Sequence, residues 1–432
     1  MTRMKDSGIK WIGEVPEDWG ITKIKFTTQL NGRIGWQGLT SAEYKEEGPY
    51  LITGTDFLDG KINFETAVHI DEKRWFEAKQ IQVENGDLLI TKDGTVGKVA
   101  IIEGLMEKAS LNSGVLRIQT TEVISRRFLF YVLKSDVFWL WFNYTNSGAS
   151  TILHLYQNVF DEFSYAFPKS LFVQTQIADF LDKKVAQLDK VKSLLEEQIK
   201  TLEDYRQSLI YETVTKGLDK TVSLKDSGVD WIGQIPEGWG VKPIKYCSRF
   251  QRGFGFPVEL QGNDDGEIPF YKVSDLRGNS DEISISKNYV DLQTAKQNAW
   301  VIVPSGAIIA PVIGAALLNN NRKISTVPFI SDNNTLAIIP NNKNKYFYYL
   351  FKVIDMNWFN NSSTIPAVNI SKLANQIVPT PKEEEQKQIA DFLEVQIIKI
   401  DKLIEIKQKQ INNINQQRQT LIYDYVTGKR RV

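Results

Sequence analysis

The chain has 432 residues, of which 42% are hydrophobic and 24% are charged, a composition typical of folded globular proteins. This length is enough for several domains with cores of their own. Its single cysteine, Cys247, excludes an internal disulfide framework and is consistent with a reducing compartment. The 52 basic and 52 acidic residues cancel, unlike in many nucleic-acid-binding proteins. If this chain binds nucleic acid, its basic residues must gather on one face, or a partner must supply phosphate contacts.

The first residues, MTRMKDSGIKWIG, lack the apolar core of a signal peptide. No run of 18 or more apolar residues occurs, so the sequence predicts no membrane-spanning segment. We therefore expect a cytoplasmic protein.

The chain contains an internal repeat. KDSGIKWIGEVPEDWGITKIK, from Lys5 to Lys25, returns 220 residues later as KDSGVDWIGQIPEGWGVKPIK, with 13 of 21 positions identical. A second pair, QIADFL at Gln176 and at Gln388, has an offset of 212, which also aligns RQSLIYETVT with RQTLIYDYVT. Similar segments thus alternate with two dissimilar ones, which indicates a duplicated unit with a variable part in each copy.

Each QIADFL segment begins a long predicted helix of nearly 40 residues, about 55 to 60 Å long at 1.5 Å per residue. Apolar residues recur at alternating steps of three and four, the pattern of a coiled-coil seam. In the first helix the seam is Ile177, Leu181, Val185, Leu188, Val191, Leu195, Ile199, Leu202, Tyr205 and Leu209. In the second helix it is Ile389, Leu393, Ile397, Ile400, Leu403, Ile411, Ile414 and Leu421, with Lys407 and Gln417 interrupting it. The simplest cover for each apolar stripe is the other helix.

The order of the segments predicts the direction of the two helices. A compact variable domain joins the end of the first helix, near Thr215, to the start of the second. The helices should therefore be antiparallel, with the two variable domains related by a pseudo-two-fold axis.

The variable segments suggest mixed α/β domains. GDLLITKDGTVGKVAII (86–102) predicts a strand, a glycine-bearing turn and a second strand, and SGAIIAPVIGAALL (305–318) occupies the corresponding place. The aromatic stretches at 126–142 and 345–359 are most simply core-packing helices, although a stacking platform for flipped bases is an alternative. We predict an α+β or mixed α/β fold with two domains and two long antiparallel helices. The predicted boundaries are 1–170, 171–217, 218–382 and 383–432.

No enzyme signature is found in the sequence. The two histidines, His69 and His154, lack metal-ligand spacing and are interpreted as structural or surface residues. There is no GxGxxG or Walker loop, no Asp/Asn-Pro-Pro-aromatic motif of amino-methyltransferases, and no Pro-Asp pair to start a PD-ExK-like nuclease site. We expect no catalytic residue, metal site or cofactor in this chain.

The duplicated WIG-x-[VI]-P-E-x-W-G entry, the two divergent domains and the two QIADFL helices ending in RQ[ST]LIY resemble the specificity subunits of type I restriction–modification systems. The resemblance covers essentially the whole chain. It implies that each variable segment is a target-recognition domain reading half of a bipartite, asymmetric double-stranded DNA site. It also implies that the helices set the spacing of the half-sites and bind two modification (methyltransferase) subunits. S-adenosylmethionine, and the ATP and Mg²⁺ of the restriction subunits, would then belong to those partners.

Candidate DNA contacts are polar or basic residues on predicted loops, because base edges are read by hydrogen-bonding side chains. In the first domain the candidates are Asn31, Arg33, Thr91, Lys92, Asp93, Thr95, Ser147, Ser150 and Thr151. In the second domain they are Arg252, Lys272, Ser274, Asn319, Asn320, Asn321, Arg322, Lys323, Ser362, Ser363 and Thr364. The paired tryptophans Trp11, Trp19, Trp231 and Trp239 are expected instead to clamp each domain onto the helices, with Pro16 and Pro236 fixing the turn.

Two other functions remain open from the sequence. A two-headed adaptor that binds proteins or glycans without reading DNA would fit the neutral charge and the rigid spacer. An enzyme with an unfamiliar site is disfavoured by the scarcity of histidine and cysteine.

Overall fold

The computed structural model describes residues 3–33, 39–146, 153–278, 280–317, 319–342, 344–361 and 365–432. The chain forms two compact units, one made of Met1–Glu196 with Lys409–Val432 and the other of Glu197–Gln408. Each unit therefore contains one α/β domain and half of each long helix.

The helices divide into short ones within the domains and two long ones, as the sequence predicts. Their bounds are α1 Glu72–Phe76, α2 Arg126–Lys134, α3 Asp136–Thr145, α4 Gln157–Phe160, α5 Leu171–Lys216, α6 Leu292–Gln297, α7 Tyr346–Val353, α8 Ile370–Asn375 and α9 Glu383–Val426. The long helices α5 and α9 have 46 and 44 residues, more than the predicted 40, because each begins several residues before its QIADFL motif. Within the described parts of the chain, no helix is long and apolar enough to cross a membrane.

The strands of the first unit form small sheets. Their bounds are β1 Met4–Asp6, β2 Glu14–Pro16, β3 Trp19–Lys23, β4 Thr28–Gly32, β5 Lys45–Ile52, β6 Phe57–Leu58, β7 Lys61–Ile62, β8 Val68–His69, β9 Gln82–Val83, β10 Leu88–Thr91, β11 Val99–Ile101, β12 Ala109–Leu111, β13 Val115–Thr120 and β14 Ser164–Pro168. The central sheet has the order β11-β10-β13-β4, and a second sheet has the order β8-β5-β12-β9. The pairs β1-β2, β14-β3 and β6-β7 complete this unit.

The second unit follows a related plan. Its strands are β15 Leu224–Asp226, β16 Gln234–Pro236, β17 Gly240–Pro243, β18 Ser248–Arg252, β19 Ile268–Tyr271, β20 Glu282–Ile283, β21 Tyr289–Val290, β22 Ile308–Pro311, β23 Lys323–Ser325, β24 Ile330–Ser331, β25 Thr335–Pro340 and β26 Ile377–Thr380. The central sheet has the order β18-β25-β22-β23-β20, and β21-β19-β24 forms the second sheet. The pairs β17-β26 and β15-β16 correspond to β14-β3 and β1-β2 of the first unit.

The central strand of each unit is buried on both faces. In β10, Leu88 and Ile90 belong to the core that contains α2 and α3, whereas Leu89 belongs to the core under the second sheet. In β22, Ile308 and Ile309 are divided in the same way between two cores. Because successive side chains of a strand point to opposite faces, a strand covered on both sides must be apolar throughout, as LLI and IIA are.

The predicted strand–turn–strand at 86–102 is confirmed, since β10 and β11 pair antiparallel with Ile90 opposite Val99. The aromatic stretch at 126–142 is two helices, because Ser135 ends α2 and its side chain caps α3. Its rings face inward, and Phe128, Phe138 and Trp141 are at most 2% exposed. These rings pack the core and are closed to stacked bases.

The two long helices pack antiparallel, as predicted. In the first unit, the rings of Phe180 and Tyr425 lie 4.5 Å apart, and Arg418 contacts Asp189 at 3.4 Å. In the second unit, Arg206 pairs with Asp401 at 2.8 Å. The two ion pairs occupy equivalent repeat positions, 212 residues apart, so the repeat extends to the contacts between the helices.

Most residues of the predicted seam are buried or half-buried. Eight of its members are buried: Ile177, Leu181, Val185, Ile389, Leu393, Ile397, Ile400 and Ile411. Another group is half-buried: Leu188, Leu195, Ile199, Leu202, Leu209, Ile414 and Leu421.

Three seam assignments are wrong. Leu403 and the equivalent Val191 are each 47% exposed, and Tyr205, whose equivalent is Gln417, is 55% exposed. The reason is helical geometry: at about 100° per residue, Ile404 lies roughly 20° from Ile397, whereas Leu403 lies roughly 120° away. Ile404 accordingly is the half-buried residue of that turn.

In each unit the WIG-x-[VI]-P-E-x-W-G motif packs against the end of a long helix. Gly428 follows α9 with φ +73°, and a Cβ there would lie 2.5 Å from Pro16 and 3.1 Å from Trp19. Gly217 follows α5 with φ +74° and lies in the same way against Trp239. The indole of Trp239 also donates to Glu385 on α9 at 2.9 Å. The expected tryptophan clamp is therefore present in both units at Trp19 and Trp239, whereas the indoles of Trp11 and Trp231 donate to the Ser164 and Ile377 carbonyls of the domains.

Ion pairs add to these junctions. Arg127 on α2 contacts Asp179 at 2.6 Å and also Asp182, both on α5. In the second unit, Lys345 at the start of α7 contacts Glu394 on α9 at 2.6 Å. Asp182 and Glu394 are again equivalent positions. In both units, therefore, a tryptophan packed at a helix end and an ion pair hold the domain against the long helices.

Trp19→Ala should lower the free energy of unfolding by about 3–5 kcal/mol, because it empties a buried indole site at the helix end. The DNA preference that the resemblance implies should stay unchanged in the folded variant. Thermal unfolding and methylation mapping measure the two effects, with Trp358→Ala, at a half-exposed site, as the control. A folded Trp19→Ala protein with an altered DNA preference would contradict the structural role.

Candidate nucleic-acid interface

Several loops of the first unit meet at one edge of the central sheet. β10 ends at Thr91, which pairs with Val115 at the start of β13. On the other side of β13, Leu116 pairs with Gly32 at the end of β4. The segments that follow β10, precede β13 and follow β4 therefore all leave the sheet at the same edge.

The turn after β10 is held rigidly. The buried Thr91 hydroxyl donates to the Thr95 carbonyl and accepts the Lys98 N–H at 2.9 Å. Gly97 has φ +84°, and a Cβ there would lie 2.8 Å from Trp139. The Thr91 side chain therefore shapes the turn from inside, which is a structural role and not the base contact expected for it.

The polar groups of this turn face outward. Lys92 contacts the Asp93 carboxylate at 3.0 Å, and the other oxygen of Asp93 contacts Nδ1 of His154. Thr95 donates to the Gly54 carbonyl at 3.4 Å. The loop that contains Gly54 thus joins this edge as well, together with the 153–156 segment.

The other two described candidates of this unit form hydrogen bonds within the domain. Asn31 donates to Gln119 across the strands at 2.8 Å. Arg33 is 7% exposed and donates to the Leu111 carbonyl at 2.9 Å, and burial lowers its pKa to about 10. Arg33 was expected at the DNA surface, but its guanidinium is enclosed between strands, so we remove it from the proposed contacts.

The second unit has an equivalent edge. β22 ends at Pro311 opposite Thr335, and β18 ends at the exposed Arg252 opposite Leu336. The chain after β18 comes so close that a Cβ on Gly253 would lie 1.8 Å from the Asp332 carbonyl oxygen. Loops 253–256, 312–314 and 332–334 therefore meet there.

Two further candidates lie beside this edge. Lys272 directly follows β19, and its ammonium lies 5.4 Å from the centre of the Phe256 ring. Ser274, in the turn that follows, is exposed. Arg252, Lys272 and Ser274 thus remain available for contacts with DNA.

Residues 319–323 were predicted to contact DNA, but the two basic side chains of this segment are buried. Arg322 is 4% exposed and donates to the Ile354 carbonyl at 2.7 Å, and burial lowers its pKa to about 10. Lys323 is 6% exposed and donates to the Arg277 carbonyl at 2.9 Å. Neither side chain is available as the predicted phosphate partner, because each satisfies a main-chain carbonyl inside the domain.

The asparagines of this segment are also partly engaged. Asn320 has φ +52°, and its side-chain oxygen accepts the Met356 N–H at 3.1 Å. Asn321 is half-buried, and Asn319 is exposed. Asn320 to Lys323 line a cleft of about 740 Å³ together with Arg206 of α5 and Asp401 of α9. They lie on the helix side of the domain, so we drop Asn320 and Asn321 from the proposed contacts as well.

The remaining candidates are not described by the structure. Ser147, Ser150, Thr151, Ser362, Ser363 and Thr364 lie outside the described residues. Among the residues that are described, no group of histidine, cysteine, aspartate and glutamate side chains is arranged to hold a metal ion.

The two edges share one backbone framework. In the first unit, the Leu155 N–H donates to the Lys92 carbonyl at 2.9 Å. In the second unit, the Val368 N–H donates to the Val312 carbonyl, also at 2.9 Å. On this framework, Asp93 and His154 of the first unit correspond to Ile313 and Ala367 of the second, which pair through an isolated β-bridge. The same scaffold therefore carries different side chains in the two units.

Sequence reasoning missed some residues of this edge. Asn112 and Ser113 precede β13, and Asp332 to Asn334 precede β25. The signal was present, because LNSGVLRI and SDNNTLAI align at the 220-residue offset as short polar turns before apolar strands. His154 was missed because its partner Asp93 is 61 positions away in the sequence.

Comparison with known proteins identifies related chains. The family model for the type I restriction modification DNA specificity domain matches residues 37–203 and 236–416. A putative type I restriction enzyme MjaX specificity subunit from Methanocaldococcus jannaschii is 27% identical over 98% of this chain and 96% of that protein. The MjaVIII specificity subunit of the same organism is 24% identical over 97% and 94%. A chain solved in work on complex assembly and conformational transition of the type I R-M system has the same fold, with a TM-score of 0.73 at 14% identity over 96% of this chain and 99% of that one.

The internal role of Arg322 can be tested against the exposed Arg252 of the same unit. Arg322→Ala should lower the free energy of unfolding by about 1–3 kcal/mol, because it leaves the buried Ile354 carbonyl unsatisfied. Arg252→Ala should leave stability within about 0.5 kcal/mol and weaken DNA binding instead. Thermal unfolding and DNA binding of both variants give the comparison. An Arg322→Ala protein of normal stability with weakened DNA binding would restore Arg322 as a contact residue.

Proposed function

Because this chain belongs to the type I restriction modification DNA specificity family, we propose that each of its α/β domains reads one half of a bipartite, asymmetric DNA target. The chain is a sequence-specific DNA-recognition subunit of such a system. The observation that carries the proposal is the shared edge framework with different side chains, a charged Lys92–Asp93 pair in one unit and the apolar Ile313 in the other. Different side chains read different base edges, so the two half-sites should differ.

The proposed contacts divide by chemistry. We propose that Lys92, Asp93, Thr95 and Asn112 in the first domain, and Asn319 in the second, address base edges or position groups that do. Arg252 and Lys272 are proposed to contact phosphates. Ile313 is 40% exposed and would suit the methyl group of thymine.

We also propose that the long helices bind two modification subunits. Val191 and Leu194 on α5 are each 47% exposed, and the equivalent Leu403 and Ile406 on α9 are 47% and 45% exposed. Apolar residues kept exposed at equivalent positions of a repeat indicate two copies of one partner surface. On this proposal the partners carry S-adenosylmethionine, restriction subunits bring ATP and Mg²⁺, and this chain performs no catalysis.

The balanced charge of the chain is compatible with a complex in which partner subunits contribute to DNA binding. A chain with 52 basic and 52 acidic residues has no net attraction for DNA, and Arg33, Arg322 and Lys323 are used internally. The modification subunits are therefore proposed to supply much of the phosphate contact. An adaptor function without DNA reading is disfavoured by the family match over both halves of the chain.

Deleting this gene alone should abolish N6-adenine methylation at one bipartite, asymmetric motif. The comparison strain carries the gene with its neighbouring methyltransferase gene, and methylation is mapped across the genome in both. Complementation with the intact gene should restore the motif. An unchanged methylation pattern in a strain whose methyltransferase is active would contradict the proposed function.

Binding of the assembled complex to its target should weaken steeply with salt, because phosphate contacts release counterions in proportion to their number. Lys272→Ala should weaken binding to all sequences alike and reduce the slope of log K against log salt by about one. Titrations of labelled duplex at several salt concentrations provide the measurement. Lys245→Ala is the control, since Lys245 precedes β18 at the end of that strand opposite Arg252 and contacts Asn375 at 2.7 Å. Salt-independent binding would favour the adaptor function.

A further inference from the structure

His154 and Asp93 form a side-chain pair at the edge of the first unit. Nδ1 of His154 contacts the Asp93 carboxylate, whose second oxygen is held by Lys92 at 3.0 Å. The imidazole ring lies 4.2 Å from the ring of Tyr156, centre to centre. The His154 side chain keeps 30% of its surface exposed. One face of the ring and one nitrogen are thus engaged, and the ring still reaches the surface.

The backbone that carries His154 is fixed on its C-terminal side. Leu155 is fully buried, and its N–H donates to the Lys92 carbonyl at 2.9 Å. Two residues further, the Gln157 side chain donates to the Leu30 carbonyl at 3.1 Å. Both segments that carry the pair are therefore anchored in the core, which pre-organises the two side chains before any partner binds.

The chemistry of the pair determines what the free nitrogen can do. A carboxylate only accepts hydrogen bonds, so an imidazole beside it directs its Nδ1–H to the carboxylate. An imidazole without a second proton then offers the lone pair of Nε2 as an acceptor. In the major groove the groups that donate to such an acceptor are the exocyclic amino groups, N4 of cytosine and N6 of adenine.

We propose that His154 reads an exocyclic amino group, that of a cytosine or an adenine, in the half-site bound by the first domain, and that Asp93 is its positioning residue. This inference rests on the proposed function and adds one specificity-determining residue to it. The second unit supports the assignment to sequence reading. There the same framework carries Ile313 and Ala367, so the polar pair is not needed to build the edge.

The first test maps the methylation motif in cells that express the full chain with its methyltransferase. His154→Ala should relax the preference at one base pair of one half-site by roughly five- to tenfold, the lower range for a base contact. The other half-site should stay unchanged. His69→Ala is the matched control, since His69 is the chain's other histidine and lies on β8 with its ring nitrogen against the Gly48 carbonyl at 2.6 Å.

Substitutions that install the residues of the second unit distinguish a loss of base recognition from a loss of folding. The Asp93→Ile/His154→Ala variant installs the pair found at the equivalent positions, so it should fold and change the same single base pair. His154→Asn keeps a side-chain acceptor and should restore part of the preference. If all variants retain the wild-type melting temperature and the complete motif, the proposal is overturned while the proposed function stands.

The second test identifies the donor with modified duplexes and the purified complex. At the relaxed position, cytosine is replaced by 2-pyrimidinone or adenine by purine, each of which lacks the amino group. The wild type should lose roughly five- to tenfold in affinity for one of these duplexes, and His154→Ala should lose nothing further. Coupling to 7-deazaguanine instead would mean that His154 donates to N7, which overturns the proposal. A wild-type complex that modifies no specific site would overturn the proposed function, and this proposal with it.

Discussion

In each unit the side chains of the central strand are divided between two apolar cores, and this burial on both faces constrains the rest of the domain. Leu88–Thr91 and Ile308–Pro311 are buried at every position, so a polar side chain is tolerated there only where its hydrogen bonds are satisfied inside the domain, as those of the Thr91 hydroxyl are. Variation is left to the segments that leave the sheet at its ends. These segments can change without exposing or emptying a core.

The conformation of the edge loops is fixed by their contacts with that core. The turn after β10 is shaped by the buried Thr91 hydroxyl and by Gly97 against Trp139, and the 153–156 segment is held by the buried Leu155. Residues between these anchors are free to differ, as Asp93 and Ile313 do. A rigid scaffold with exchangeable side chains is the arrangement that sequence-specific reading requires, because base contacts depend on orientation as much as on residue type.

The junctions between each domain and the long helices are alike in the two units, unlike the edge loops. Trp19 against Gly428 and Trp239 against Gly217 are the same contact built twice, and so are the ion pairs at Asp182 and Glu394. At both glycines φ is positive and a Cβ would lie within about 3.2 Å of a ring, so no other residue fits without displacing the tryptophan. Repetition here reflects packing, whereas the proposed function accounts for the divergence at the sheet edge.

The internal repeat, the two long helices, their antiparallel direction and most of the seam are determined by the sequence, because periodicity and spacing act locally along the chain. Periodicity was less reliable within a single turn, where an apolar residue at Leu403 matched the three–four pattern although helical geometry turns it outward. Whether an individual polar side chain is buried or exposed, and which group it contacts, was decided only by the tertiary structure. Arg33, Arg322 and Lys323 look like surface residues in the sequence, yet each finds a carbonyl inside the domain. The carboxylate partner of His154 is Asp93, 61 positions away, and only the fold brings the two together, because the partner of a polar group depends on which distant loops share an edge.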